Sequence, residues 1–265
     1  MRCPIITLTT DFGSRDPYVA EMKAVILGIS PNATIVDITH QVDKFNVRMG
    51  AYVLAAASPY FPNGTVHVVV VDPGVGTERQ PIIVQTKKCC FVGPDNGVLA
   101  LAAKSIGGEV HVHRITNREF MLPKVSSTFH ARDIFVPAAA HLANGRRPAE
   151  LGPEIHQMIS PQFARIVRRK DVLEGQVVHV DDFGNIITSF TEKELETMKF
   201  KGGVHIKVGN VALKLKLCKA YGDVEKTQPL AIIGSHDFLE ISVNQGSAAN
   251  VFNARVGDKV VIYCS

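Results

Sequence analysis

The chain has 265 residues, 46% of them apolar and 20% charged, with a formal net charge of +4. That composition is globular rather than disordered, and no apolar run reaches the roughly 20 residues of a membrane span. The opening Met1-Arg2-Cys3-Pro4 lacks the apolar stretch of a signal peptide, which predicts a cytoplasmic protein.

At roughly 150 residues per domain, and with single cores ceasing to grow beyond ~250 residues, two domains are expected. The five cysteines, Cys3, Cys89, Cys90, Cys218 and Cys264, are odd in number and form no Cys-x-x-Cys, which argues against a disulfide framework or zinc knuckle. Lysine and arginine are scattered, with one short cluster at Arg168-Arg169-Lys170, so nucleic acid is not an expected partner.

Strands and helices alternate in the first part of the chain. Ile5–Thr10 reads as a buried strand. Tyr18–Ile29 carries Val19, Met22, Val25, Ile26 and Ile29 at helical spacing, and Pro31 ends it. A strand at Thr34–Thr39 and a helix at Val47–Ala57 follow. Val66–Val71 is a branched apolar run of the kind that is buried on both faces of a parallel sheet. Ile82–Gln85 and Cys89–Val92 suit a hairpin, Val98–Ser105 a helix and Val110–Ile115 a strand. A helix over Ile134–Leu142 stops at Asn144-Gly145. This alternation predicts an α/β domain with a mostly parallel sheet over residues 1–160.

Prolines 148, 153 and 161 mark a seam. Beyond it, short strands are expected at Val172–Val180, Ile186–Phe190, Gly203–Val208, Val211–Leu217, Leu230–Ile233, Leu239–Val243 and Lys259–Tyr263. Turn residues such as Gly184-Asn185, Lys201-Gly202-Gly203 and Gly209-Asn210 separate them. Only Thr191–Met198 reads as helix, capped by Thr191. Residues 170–265 are therefore expected to form a small all-β, barrel-like domain.

Ligands of open α/β sheets lie beyond the carboxyl ends of the strands. Polar residues there stand out at three places, and each has a structural and a functional reading. Asp11, in Thr9-Thr10-Asp11-Phe12-Gly13, either caps the next helix or grips ribose hydroxyls or a cation. Asp72 and Arg79 flank Pro73-Gly74-Val75-Gly76-Thr77-Glu78, and either staple a surface turn or line a site. His130 lies in Thr128-Phe129-His130-Ala131-Arg132-Asp133, where Asp133 reads as a helix-terminal acid and Arg132 as a surface ion partner.

In the second domain, Asp182-Phe183-Gly184-Asn185 is either a plain β-turn or a purine site, the ring of Phe183 stacking and the amide of Asn185 reading the base edge. The segments Gly234-Ser235-His236-Asp237-Phe238-Leu239-Glu240 and Asn244-Gln245-Gly246 add further polar atoms. His111-x-His113 lacks an evident third ligand, so no metal site is expected. Gly93-Pro94-Asp95-Asn96-Gly97 reads as a tight turn before a helix.

These motifs, together with Asn244-Gln245-Gly246-Ser247-Ala248-Ala249, occur in order along nearly the whole chain. So arranged, the sequence resembles the S-adenosyl-L-methionine (SAM) hydroxide adenosyltransferases, the adenosine-forming SAM hydrolases related to fluorinase and chlorinase. The resemblance implies an N-terminal α/β domain and a C-terminal β-barrel. It implies a homotrimer that holds SAM between one subunit's N-terminal domain and a neighbour's C-terminal domain. The implied reaction is attack of water on ribose C5′, giving adenosine and L-methionine with no cofactor.

By the same resemblance, Asp72, Arg79 and His130 position the water, and Asp11 binds the ribose. Phe45 stands where the halogenases place a tryptophan against the substrate. Phe183, Asn185 and the backbone near Val243 recognise the base, and Asp181, Ser235 and Glu240 take the methionine end. His236 stands where the halogenases use an arginine. The halogenases have a tyrosine in place of Asp72 and lack the histidine of His130, which favours hydrolysis here. A SAM- or adenosine-binding sensor with little turnover and a SAM-dependent halogenase are the alternatives.

Overall fold

The computed structural model describes residues 3–169, 171–196, 198, 200 and 203–263. Lys170, the Lys201-Gly202 pair, Thr197 within the expected helix and Cys264 lie outside them. Two compact units divide the chain, Met1–Ser160 and Pro161–Ser265.

The first unit runs β1 (Ile5–Thr10), α1 (Tyr18–Ile29), β2 (Thr34–Thr39), α2 (Val47–Ala57), β3 (Val66–Val70), β4 (Pro81–Gln85), β5 (Cys90–Pro94), α3 (Ala100–Ile106), β6 (His111–Arg114), α4 (Val136–Ala143), α5 (Pro148–Leu151) and β7 (Glu154–Ile155). Its sheet has the order β2-β1-β3-β5-β4-β6-β7. The β2-β1-β3-β5 half is parallel, and the β5-β4 hairpin, β6 and β7 continue it antiparallel.

Small residues let the layers approach. Every residue of β3 is buried. Ala138, Ala139 and Ala140 of α4 are fully buried in the same core as Val68 and Val70. A Cβ at Gly50 in α2 would stand 2.9 Å from Val71 Cγ2, so that helix lies close over the end of β3. The Asn46 side chain caps α2 by accepting from Met49 N at 3.0 Å.

His67 on β3 is wholly buried, stacked on Phe91 and edge-on to Phe61 with centroids 5.3 Å away in each case. Its Nδ1 pairs with Thr7 Oγ1 at 2.8 Å. Burial first, and the Lys88 charge second, pull its pKa down to about 4. The unfolded chain, with a histidine near 6.5, therefore binds more protons between pH 6.5 and 4. Stability is expected to fall as pH drops through that window, by about 3 kcal/mol. His67→Phe should remove that part of the slope, as urea titrations at pH 7 and pH 4.5 would show.

The second unit runs β8 (Val167–Arg169), β9 (Val172–Val180), β10 (Ile186–Thr191), α6 (Glu192–Glu196), β11 (Val204–Val208), β12 (Val211–Cys218), β13 (Pro229–Ile233), β14 (Phe238–Val243), α7 (Ala248–Phe252) and β15 (Lys259–Tyr263). The order β10-β14-β13-β12-β11-β15-β9 closes on itself through a β9–β10 pairing, giving a seven-stranded barrel with β8 attached outside. Closure leaves those strands without a bare edge. Phe190 fills the interior over Gly175, where a Cβ would sit 2.8 Å from its ring. The expected helix at Thr191 is shorter than predicted, and α7 was not predicted at all.

No helix among the described residues is long and apolar enough to cross a membrane. Cys3, Cys89, Cys90 and Cys218 are free thiols.

Candidate active site

Asp72 lies two residues past β3, at the carboxyl end of a central parallel strand. Asn96 fixes the strand's exit by donating from Nδ2 to the Val71 carbonyl at 2.8 Å. Arg79 returns across the loop and grips Asp72 through Nε, at 3.0 Å from Oδ1 and 2.9 Å from Oδ2, and through Nη2 to Oδ2 at 2.5 Å. The side chains are 4% and 8% exposed, so this is a buried ion pair and not a staple on a surface turn.

Arg79 Nη2 also meets His130 Nδ1 at 2.8 Å. A guanidinium only donates, so Nδ1 is an acceptor and the neutral ring carries its proton on Nε2. Burial and the Arg79 charge lower the His130 pKa, against smaller opposing effects of Asp72, Asp133 and a backbone bond to Ser126. The guanidinium further lies over the Phe135 ring, 5.1 Å from its centroid. Three residues spread over 59 positions thus form one array.

The two loops that carry this array touch at Gly76. Its φ is +78°, and a Cβ there would lie 2.3 Å from the Ser127 carbonyl oxygen. Only glycine combines that backbone with that approach. A cavity of about 200 Å³ opens beside the array, lined by Asp72, His130, Phe12, Tyr18, Thr128 and Phe129 among others. Phe12, Tyr18 and Phe129 pack on one another with centroids 5.1 to 5.8 Å apart. Sequence reasoning missed these aromatic walls, because three rings scattered over 118 positions carry no local pattern.

Asp11 immediately follows β1, the neighbour of β3. It does not cap α1, whose N-cap is Pro17. Instead its buried carboxylate accepts from Phe45 N at 2.8 Å, and its carbonyl accepts from Lys44 Nζ. Phe45, with φ +65°, is thereby held in a left-handed conformation with its ring 68% exposed.

On the second unit, Asp181 organises its own turn. Oδ1 accepts from Phe183 N at 3.0 Å and from Asn185 N at 2.8 Å, and Oδ2 accepts from Asn185 Nδ2 at 2.9 Å. Gly184 lies against Ser247 and its carbonyl accepts from Ala249 N, which seats the turn on the start of α7. Phe183 is left 81% exposed. Val243, which ends β14, is bridged to Gly246. Ser235 is exposed in the β13–β14 turn, at the other end of β14 from Val243. Glu240 is buried in mid-strand, with Oε1 accepting from Tyr221 Oη at 2.7 Å and Ser242 Oγ at 2.8 Å.

His111 is taken up by Glu154 at 2.8 Å, and His113 Nδ1 lies 3.3 Å from the Gly152 carbonyl. Among the described residues no group of three or more His, Cys, Asp or Glu is placed to hold a metal ion.

Comparison with known proteins bears on this geometry. The chain is 38% identical to the (R)-S-adenosyl-L-methionine hydrolase of Methanocaldococcus jannaschii, over 97% of this chain and 95% of that protein. It is 36% identical to the enzyme of the same name from Salinispora tropica, over 97% of each chain. A crystal structure of a conserved protein from Thermotoga maritima superposes with a TM-score of 0.86 at 40% identity, covering 98% of this chain and all of that one. Residues 6–152 match the SAM hydroxide adenosyltransferase N-terminal domain and residues 175–261 the C-terminal domain, so the chain belongs to the SAM hydroxide adenosyltransferase family.

Proposed function

We propose that this protein hydrolyses SAM, with water attacking ribose C5′ and methionine leaving through its sulfur to give adenosine and L-methionine. The observation that carries the reading is the buried Asp72–Arg79 pair, with the half-buried His130 on its guanidinium, beside an aromatic-walled cavity.

The leaving group departs from a sulfonium as a neutral thioether and needs no acid. The nucleophile is the difficulty. A carboxylic acid of reference pKa near 3.9 and water near 15.7 differ by about 12 units, so ionising water ahead of attack would cost roughly 16 kcal/mol. Asp72 therefore orients the water in line with the C5′–S bond and accepts its proton late, as attack makes it acidic. Orientation of this kind supplies up to ~7–11 kcal/mol. Arg79 holds the Asp72 carboxylate in place. His130, an acceptor to Arg79 at Nδ1, holds the guanidinium and is not the base. An incoming halide would have to shed its hydration shell facing the Asp72 carboxylate, which disfavours halogenation.

Asp11 takes the ribose hydroxyls and Phe45 closes over the substrate. Phe183 stacks on adenine while Asn185 and the Val243 backbone read its edge. Asp181, whose carboxylate holds its own turn, and Glu240, whose carboxylate pairs with Tyr221 and Ser242, shape the methionine end with Ser235. No cofactor enters the chemistry. The assembly proposed is a cytoplasmic homotrimer, in which the rings of Phe45 and Phe183 are covered.

Incubation of the purified protein with SAM in ¹⁸O-water tests the reaction. Labelled adenosine and unlabelled L-methionine are the expected products. SAM recovered intact from the protein would replace hydrolysis with a sensor role. Sedimentation analysis of the same sample reads the trimer.

A further inference from the structure

Asp133 read in sequence as a helix-terminal acid, but it is wholly buried and lies inside a π-helical turn, Ala131–Phe135, that begins one residue after His130. Its Oδ2 accepts from Ser126 N at 2.7 Å, and its carbonyl accepts from Leu122 N at 2.9 Å. Its carboxylate is also gripped by Arg132, through Nε to Oδ1 at 2.7 Å and Nη2 to Oδ2 at 3.3 Å. Arg132 reaches on to Glu21 of α1 at 2.7 Å and lies over Phe129, 5.0 Å from the ring centroid.

One carboxylate therefore closes the 126–130 loop from beneath. That loop carries three parts of the site: Ser127, which faces Gly76; Phe129, a wall of the cavity; and His130. Ser126 is tied twice, its N–H to Asp133 and its main chain to the His130 ring. The connections run Asp133 to Ser126 to His130 to Arg79 to Asp72.

We propose that Asp133 is a positioning residue for the reaction, setting the His130 ring so that Arg79 and Asp72 are held in register with the water. It is a fully buried carboxylate that acts through the loop it fastens. The inference rests on the hydrolase reading for its kinetic part, and on geometry alone for its spectroscopic part.

Asp133→Asn keeps the shape and an oxygen acceptor for Ser126 but removes the charge facing Arg132. Asp133→Ala removes both. Steady-state adenosine release and ¹⁵N NMR of labelled histidine are measured on wild type and both variants. If Asp133→Ala fails to fold, the isosteric Asp133→Asn carries the test. The expected result is a fall in kcat of about 10²-fold for Ala, with KM for SAM changed less than about threefold. Asn should fall between Ala and wild type. The His130 ring signals should move in both variants, and its titration should shift to lower pH as the Asp133 charge is lost. A kcat within about twofold of wild type together with unmoved His130 signals would overturn the proposal. Should the wild type release no adenosine, the hydrolase reading fails by itself. The His130 spectrum then still decides whether Asp133 sets that ring: shifted signals support the role and unshifted ones reject it.

Discussion

Asp72→Asn is expected to lower adenosine release by about 10³-fold while SAM still binds. A positioned base of this kind contributes roughly 10²–10⁴-fold. The amide retains an acceptor for Arg79, so the array's shape survives, but it can no longer take a proton as attack proceeds. The same change leaves the Arg79 guanidinium, 8% exposed, without its counter-charge. Breaking a buried pair from one side costs about 3–5 kcal/mol. The melting temperature should therefore drop by roughly 10 °C, and assays belong well below it. Single-turnover kinetics, with SAM affinity measured by calorimetry, separate chemistry from binding. Turnover within tenfold of wild type at equal SAM affinity would remove Asp72 from the reaction.

Gly76→Ala should be the most damaging single methyl in the first unit's site. The new Cβ has a backbone oxygen 2.3 Å away, and a backbone cannot rotate aside as a side chain can. The left-handed conformation adds about 1–2 kcal/mol for any residue with a Cβ. One of the two loops must retreat, which parts Arg79 from His130. A displacement near 1 Å costs about 10²-fold in rate. Gly64→Ala is the matched control: its φ is +87° and nothing lies within 4 Å of the added Cβ. It should lose comparable backbone stability and keep its turnover. Equal losses of activity in the two variants would show that strain alone, and not loop docking, is responsible.

Much of the fold is legible in the chain itself. β1, α1, β2 and α2 run over Ile5–Thr10, Tyr18–Ile29, Thr34–Thr39 and Val47–Ala57, the spans their apolar spacing predicts. Pro31 and Pro59 sit just past the two helices and make their ends readable. The two-residue β7 and three-residue β8 are too short to carry a period, and pairing to a neighbour defines them. α7 is five residues long, and its cap, Ser247, reads equally well as a turn residue.

For the site, strand ends pointed to Asp11 and Asp72, and the ordered motifs tied in Arg79 and His130. Polarity misled at Asp133. An acid next to an arginine looks solvated in one dimension, but Asp133 is buried beneath a loop.

The wide turn at Ala131–Phe135 has a consequence for how this chain tolerates change in length. Val136 N bonds the Ala131 carbonyl five residues back, one more than an α-helix allows. Such a turn is an α-helix with one residue inserted. Deleting one residue there would restore regular winding without disturbing the alanine face of α4. It would also swing everything before it by about 100° and draw it in by about 1.5 Å. His130 would then face away from Arg79 although no functional side chain had been altered. The spare residue acts as a phase-setter between a helix tuned to the core and a loop tuned to the chemistry, so single-residue indels here are far less tolerable than point substitutions at the same positions.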